Sequence, residues 1–350
     1  MIGKERKGPS PPALRHIGAG PDGSPLGVRL GEPKVRREAE GRHGSRFGKI
    51  GVLAGGPSNE RGISLRSGAA VYNALLSEGL DAIFLRVKND IRNVIAANKI
   101  DVAFIALHGR YGEDGTVQQA LEDADIPYTG SGVEASRLAF DKVASKEAFI
   151  KNKIPVPKYI VFEKEKFDVN EADKIGFPLV VKPQSEGSSI GLSIVKEKKF
   201  LRTAIDKTFQ YGERSVLEEY VAGRELTVGI LDDKSLPVIE IVTKNNVYDY
   251  EAKYEDSTTR YLVPAPIDKE AYKEAGRLGS LSHSALGCRT FSRVDMIMDN
   301  YGKIFVLEVN TIPGMTGRSL LPKAAAAIGL CFRELCVKIL EHSLLKAGKL

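Results

Sequence analysis

From Lys49 onward, short continuous apolar runs alternate with longer stretches of helical spacing. KIGVLA (49–54), AIFLRV (82–87) and DVAFIAL (101–107) have the length and composition of buried strands. The chain after GGPSNE reads as a helix to about Ser77, and a second helix lies near Ile91–Ala97. Strands apolar on both faces and separated by helices predict a parallel sheet covered on both sides. Ligand-binding loops then belong at the carboxyl ends of the strands, where GGPSNER (55–61) and LHGRYGEDGT (107–116) stand.

A helical stretch, Ala135–Lys153, leads to strands at YIVF (159–162), FPLVVKP (177–183), GLSIVK (191–196) and SVLEEYV (215–221). A helix near Lys198–Phe209 separates the last two. ELTVGIL (225–231) and LPVIEIV (236–242) come next, then a polar aromatic loop near Tyr248–Tyr261 and a helix over Lys269–Ala285. FSRVDMIMD (291–299), IFVLEVN (304–310) and a helix over Ala324–Leu345 complete the pattern, which is that of antiparallel strands packed by helices. The organisation expected is a tail (1–47), an α/β domain (48–140) and two α+β subdomains (141–222 and 223–346).

Composition changes this picture at one place. Of the 350 residues, the first 47 hold ten Lys/Arg and five Asp/Glu, so the chain's net +6 less this +5 leaves +1 for everything else. The basicity belongs to the tail, and no basic face with interleaved aromatics appears in the body, so no nucleic-acid partner is expected. The tail is Gly- and Pro-rich without periodicity and is expected to be disordered. Its GAGPDG (18–23) follows no strand and contains Pro21, which argues against a nucleotide loop. No apolar run reaches the roughly 18 residues of a membrane span. Cys288, Cys331 and Cys336 form neither a disulfide framework nor a metal pattern, and with no apolar leader segment the expectation is a cytoplasmic protein.

Candidate chemistry lies at strand ends. Asp295, Glu308 and Asn310 alternate with apolar residues on two neighbouring strands and could converge on one hard cation. Polar-faced edge strands explain the same pattern. Lys142, Lys182, Lys253 and Arg293 are cations available to phosphate. Lys182 closes an apolar strand, Pro183 turns the chain away, and Ser185 to Gly191 can fold over a polyphosphate with backbone N–H groups and hydroxyls. A surface loop with a solvated lysine is the plainer alternative. LEEY (217–220) stands where a hinge could face a base and a ribose, through Glu218 and Glu225, and an exposed Glu pair fits equally well.

In order, GGPSNERGISLRSG (55–68), ALHGRYGEDGT (106–116), PYTGSGVEAS (127–136), FDK (140–142), VVKPQSEGSSIG (180–191), YDYEAKY (248–254), RVD (293–295) and LEVNTIPGMTGRSLLP (307–322) resemble the motifs of D-alanine–D-alanine ligases of the ATP-grasp superfamily. The resemblance covers roughly Lys49 to Leu345. It implies an N-terminal parallel α/β substrate domain followed by a two-lobed ATP-grasp fold. It also implies ATP-driven joining of two D-alanines through an acyl phosphate, for peptidoglycan precursors; a homodimer is expected only as the common default for soluble oligomers. A ligase taking D-lactate or D-serine as acceptor is the alternative.

The roles that follow from the resemblance are these. Lys142, Lys182 and Ser189 would bind ATP phosphates beneath a Ser/Gly flap, and Glu218, Glu219, Val221 and Glu225 would frame adenosine. Asp295, Glu308 and Asn310 would hold two Mg²⁺ or Mn²⁺ ions. Glu60, with His108, would meet the ammonium of the first D-alanine, Ser319 and the Leu320 backbone would take the carboxylate of the second, and Lys253 would be a further substrate-binding residue. Arg293 and the Gly314 amide would stabilise the oxyanion, and Glu60, Ser188 and Tyr254 would order proton transfer. Tyr254 favours an amine acceptor. At 219 several relatives carry Lys, at 62 often Glu where this chain has Gly, and at 119 often Gly where it has Gln.

Overall fold

The structure is a computed structural model that describes residues 46–244 and 258–349. The expectation of disorder for the tail falls almost wholly outside the described residues, as do Lys253 and Tyr254 of the YDYEAKY segment.

β1 (Ile50–Gly55) is buried at every position because it is the middle strand of a parallel sheet, between β2 (Ala82–Val87) and β3 (Val102–Ile105). Its continuous apolar run is what a strand covered on both faces requires. α1 (Arg61–Ser77) and α2 (Ile91–Asn98) stand where their spacing predicts them, and α3 (Thr116–Asp123) is an addition. The parallel sheet expected at this end of the chain is present.

The single helix expected over Ala135–Lys153 is two, α4 (Val133–Phe140) and α5 (Lys142–Lys151). Asp141 separates them with extended backbone, and its carboxylate accepts from the N–H groups of Val143 and Ala144. A side chain that caps a new first turn competes with continuing the old helix. The break makes Lys142 the first residue of α5.

A four-stranded antiparallel sheet follows, in the order β4 (Tyr159–Glu163), β7 (Arg214–Glu219), β5 (Leu179–Pro183), β6 (Ser193–Val195). α6 (Leu201–Thr208) packs beneath it, and Leu179, Val181, Leu201, Ile205 and Leu217 share that core. Three residues connect β7 to β8 (Gly223–Leu231) and the larger antiparallel sheet. That sheet runs β11 (Arg260–Leu262), β10 (Ile239–Val242), β8, β12 (Phe291–Asp299), β13 (Ile304–Asn310), with β9 (Lys234–Ser235) beside β8. α7 (Lys269–Ala285) covers one face. The helix expected over Ala324–Leu345 is also two, α8 (Leu320–Ala326) and α9 (Phe332–Lys346). Gly329 at φ +81° ends the first, and a reciprocal Cys331–Glu334 cap starts the second.

Candidate active site

Between the two antiparallel sheets lies a cleft of ≈ 1130 Å³, its open mouth included. One wall is apolar, with Val180, Ile194, Leu226, Ile241 and Leu307, and can accept a flat ring. The rest is charged. Among the described residues, Lys142 and Lys182 line it together with six carboxylates: Glu186, Glu218, Glu219, Glu225, Asp295 and Glu308. Val221 and Ser189 line it as well.

Lys182 stands one residue before the end of β5, and its ammonium lies 2.8 Å from Glu218 Oε1 on the adjacent strand β7. Lys146, one turn after Lys142 on α5, approaches the same oxygen at 3.0 Å. Both Lys146 and Glu218 are almost wholly buried, so each charge needs the other. Burial alone would raise the Glu218 carboxyl, but Lys146 and Lys182 hold it down at about 2. Burial, with Lys182 nearby, lowers the Lys142 ammonium, whose Nζ donates to Glu186 O at 2.5 Å. Lys146 is not among the sequence-predicted residues, and it makes Glu218 a counter-ion to two lysines. The signal that points to it in the sequence is a pair of lysines four apart on one helix face. Glu219 directs its carboxylate at a backbone group, accepting from the Lys158 N–H at 2.9 Å.

On the larger antiparallel sheet, β12 alternates cleft-facing and core-facing residues as its sequence predicts, with Val294, Met296 and Met298 buried. Register sets Asp295 opposite Glu308 and Arg293 opposite Asn310. Asp295 is held on both oxygens: Arg293 donates to them at 2.8 and 2.7 Å, Thr227 Oγ1 to one at 2.6 Å and Asn310 Nδ2 to the other at 3.1 Å. The pairing slips between Asp295 and Met296, leaving Leu307 without a partner on β12. This bulge turns Leu307 and Glu308, consecutive residues, to the same cleft. Among the described residues no three Asp, Glu, His or Cys side chains cluster as a ready metal cage. Two carboxylates and an amide suit a hard cation that takes its other oxygens from a phosphate.

A second cavity of ≈ 850 Å³ adjoins, and Glu60, His108, Ser188, Arg293, Gly314 and Ser319 are among its lining residues, with Leu320 beside them. Glu60 stands at the start of α1, almost fully buried, and Ser188 Oγ donates to its Oε1. Its other oxygen fits between two glycines. A Cβ on Gly109 or on Gly187 would lie 2.6 Å from Glu60 Oε2, and Gly109 also has φ +72°. Ser188 and Ser189 have φ +48° and +58°, a conformation few side chains adopt, so the flap is held in a particular shape. His108 Nδ1 donates to Ile312 O at 3.0 Å, leaving Nε2 to accept from Ser67 Oγ at 2.9 Å. The imidazole thereby ties its own loop to α1 and to the segment after β13. Ser319 Oγ accepts from the Thr316 N–H at 2.9 Å, beside Gly314. A space of ≈ 330 Å³ joins the two cavities, lined by Lys142, Glu186 and Glu308 on one side and Gly187 and Asn310 on the other.

Family models of the D-ala D-ala ligase C-terminus and N-terminus match residues 149–341 and 88–131. A D-alanine–D-alanine ligase of Geotalea uraniireducens is 48% identical over 302 residues, 86% of this chain and 97% of that protein. The chain belongs to the D-alanine–D-alanine ligase family. A solved ligase of this family from Bacillus anthracis superposes with a TM-score of 0.78 at 37% identity, over 86% of this chain and 99% of its own. The same protein solved in complex with ATP gives 0.76 at 36%, over the same shares. A D-Ala:D-Ser ligase from Enterococcus faecalis gives 0.74 at 30%, over 84% and 99%. The fold expected from the ligase family's motifs is therefore the fold found.

Proposed function

We propose that this chain joins two D-alanines into D-alanyl-D-alanine with hydrolysis of ATP to ADP and phosphate. The observation that carries the reading is the meeting of two unlike cavities at one seam. One is a slot with an apolar wall and two lysines, and the other is a pocket holding a buried carboxylate and an arginine.

A carboxylate resists attack by an amine because its leaving group would be oxide. Transfer of the γ-phosphoryl group to the first D-alanine converts that oxygen into a phosphate leaving group. Lys142 and Lys182 hold the phosphates in line, so that the step rests on positioning and charge. Glu60 takes the ammonium of the first D-alanine, and Ser319 with the Leu320 backbone takes the carboxylate of the second. The amine of the second then attacks the acyl phosphate. Arg293 and the Gly314 N–H oppose the oxyanion, a contribution of about 3–4 kcal/mol per well-placed donor in comparable sites. The Ser/Gly flap excludes water, and Ser188 ties that closure to Glu60. Tyr254 enters this set on the ligase resemblance alone.

Even with Lys146 and Arg293 paired to Glu218 and Asp295, four cations face six carboxylates, which supports added cations beside a triphosphate. Asp295, Glu308 and Asn310 would hold Mg²⁺ or Mn²⁺, which would neutralise phosphate charge. Phosphate release tests the reading, measured with ATP and Mg²⁺, with and without D-alanine, and then with D-serine or D-lactate as acceptor. The expected signal depends on D-alanine, disappears with chelator and returns with added Mg²⁺. Release independent of D-amino acids overturns the ligase reading, and a dominant signal with another acceptor overturns the dipeptide.

A further inference from the structure

The flap carries one side chain whose charge opposes the reaction proposed above. Glu186 lines both the nucleotide-side cleft and the space joining it to the amino-acid pocket, and its charge acts on Lys142. A free carboxylate there repels phosphoryl oxygens. Its backbone is needed, because Glu186 O accepts from Lys142. Its side chain must be dealt with separately.

Arg110 does this from the opposite lobe. It follows β3, and its Nη2 donates to Glu186 Oε1 at 3.1 Å, to Ser185 O at 3.0 Å and more loosely to Tyr211 O at 3.4 Å. One guanidinium thus meets the flap carboxylate, the flap backbone and the turn beyond α6. We propose that Arg110 is a positioning residue for the nucleotide: it draws Glu186 aside and cancels its charge, so that the closed flap offers phosphate only N–H groups, hydroxyls and lysine. The arginine side chain is half exposed, so its ion pair contributes little to folding stability. Its effect belongs in nucleotide affinity. A plain latch between lobes would act differently, since it would need the carbonyl contacts and not the charge of Glu186.

The inference rests on ATP occupying the cleft, and the experiment separates failure of that reading from failure of this one. Steady-state kinetics are measured for wild type, Arg110→Ala, Arg110→Lys, Glu186→Gln and the double variant combining Arg110→Ala with Glu186→Gln, alongside direct titration with a non-hydrolysable ATP analogue. Arg110→Ala is expected to raise KM for ATP about five- to tenfold, the size of one unscreened charge at a partly wet site, with KM for D-alanine and the thermal midpoint nearly unchanged. Arg110→Lys falls between it and wild type. Glu186→Gln alone lowers KM for ATP slightly, and in the double variant it restores KM to within about threefold of wild type. Three results overturn the proposal: no change in ATP affinity on Arg110→Ala, a double variant as impaired as the single, or weaker ATP binding in Glu186→Gln. The last of these decides the matter even should Arg110→Ala fail to fold. Absence of D-alanine-dependent turnover and of analogue binding in wild type sinks the assignment of the cleft instead.

Discussion

Replacing Glu218 by Gln would leave the buried ammonium groups of Lys146 and Lys182 without their shared counter-charge. Removing one partner from a buried ionic group typically destabilises by about 3–5 kcal/mol, and denaturant unfolding of Glu218→Gln is expected to show a loss of that order. A change under about 1 kcal/mol would mean that Glu218 does not balance these lysines. The sign of the pH effect follows from its depressed carboxyl, about 2 against an ordinary 4.5. Its stabilisation is complete above 4.5 and is lost as pH falls toward 2, so the variant should show a shallower acid-unfolding slope in that window. At this scale the sequence was most readable where a side chain ends a rigid element. Lys182 lies next to last in an apolar strand and Glu60 opens a helix, and both are visible as such. Lys146 was hidden because helical position alone cannot distinguish a solvated lysine from one buried against a strand of another element. Arg110 was hidden because its partners lie on a flap that is remote in sequence.

Elements were legible in type and less so in continuity. The strands carrying Arg293, Asp295, Glu308 and Asn310 match their alternating text. The bulge at Leu307 does not show in that text, since a bulge is a property of two strands compared. The breaks at Asp141 and Gly329 were each signalled by a single capping residue inside a long helical pattern, where periodicity outvotes one position. A different consequence of packing concerns α7. His283, on its last turn, is buried with Nδ1 2.7 Å from Ser292 Oγ and Nε2 3.3 Å from Asp233 Oδ1. Burial pushes its pKa down to about 4, despite Asp233, while Lys346 adds to the lowering. The unfolded chain takes up this proton near 6.5, so stability falls as pH drops from 6.5 to 4, by roughly 3 kcal/mol over the window. Unfolding free energy measured against pH should show that decline, and His283→Gln should lack it. An unchanged profile in the variant removes His283 as the cause.

For the whole molecule, the decisive arrangement is the flap spanning lobes. Ser188 binds Glu60 while the flap's root, Lys182, belongs to the nucleotide side. On the proposed function, each substrate is expected to favour the flap position that the other needs, and such coupling is reciprocal. Calorimetric titration of D-alanine is expected to give about five- to twentyfold tighter binding with a non-hydrolysable ATP analogue than without it. Ser188→Ala should reduce that ratio toward one. A ratio preserved in the variant would place the coupling elsewhere.

Glu60 itself serves as a feeler gauge. The glycines on either side of its carboxylate belong to different lobes, Gly109 to the parallel-sheet unit and Gly187 to the flap. Gly109 shares its unit with Glu60 and has φ +72°, so its own backbone already favours glycine, whereas Gly187 is required by the thickness of a carboxylate that belongs to another lobe. The allowed residue at 187 is therefore set by a side chain remote in sequence and placed in another lobe, and not by its neighbours in the flap.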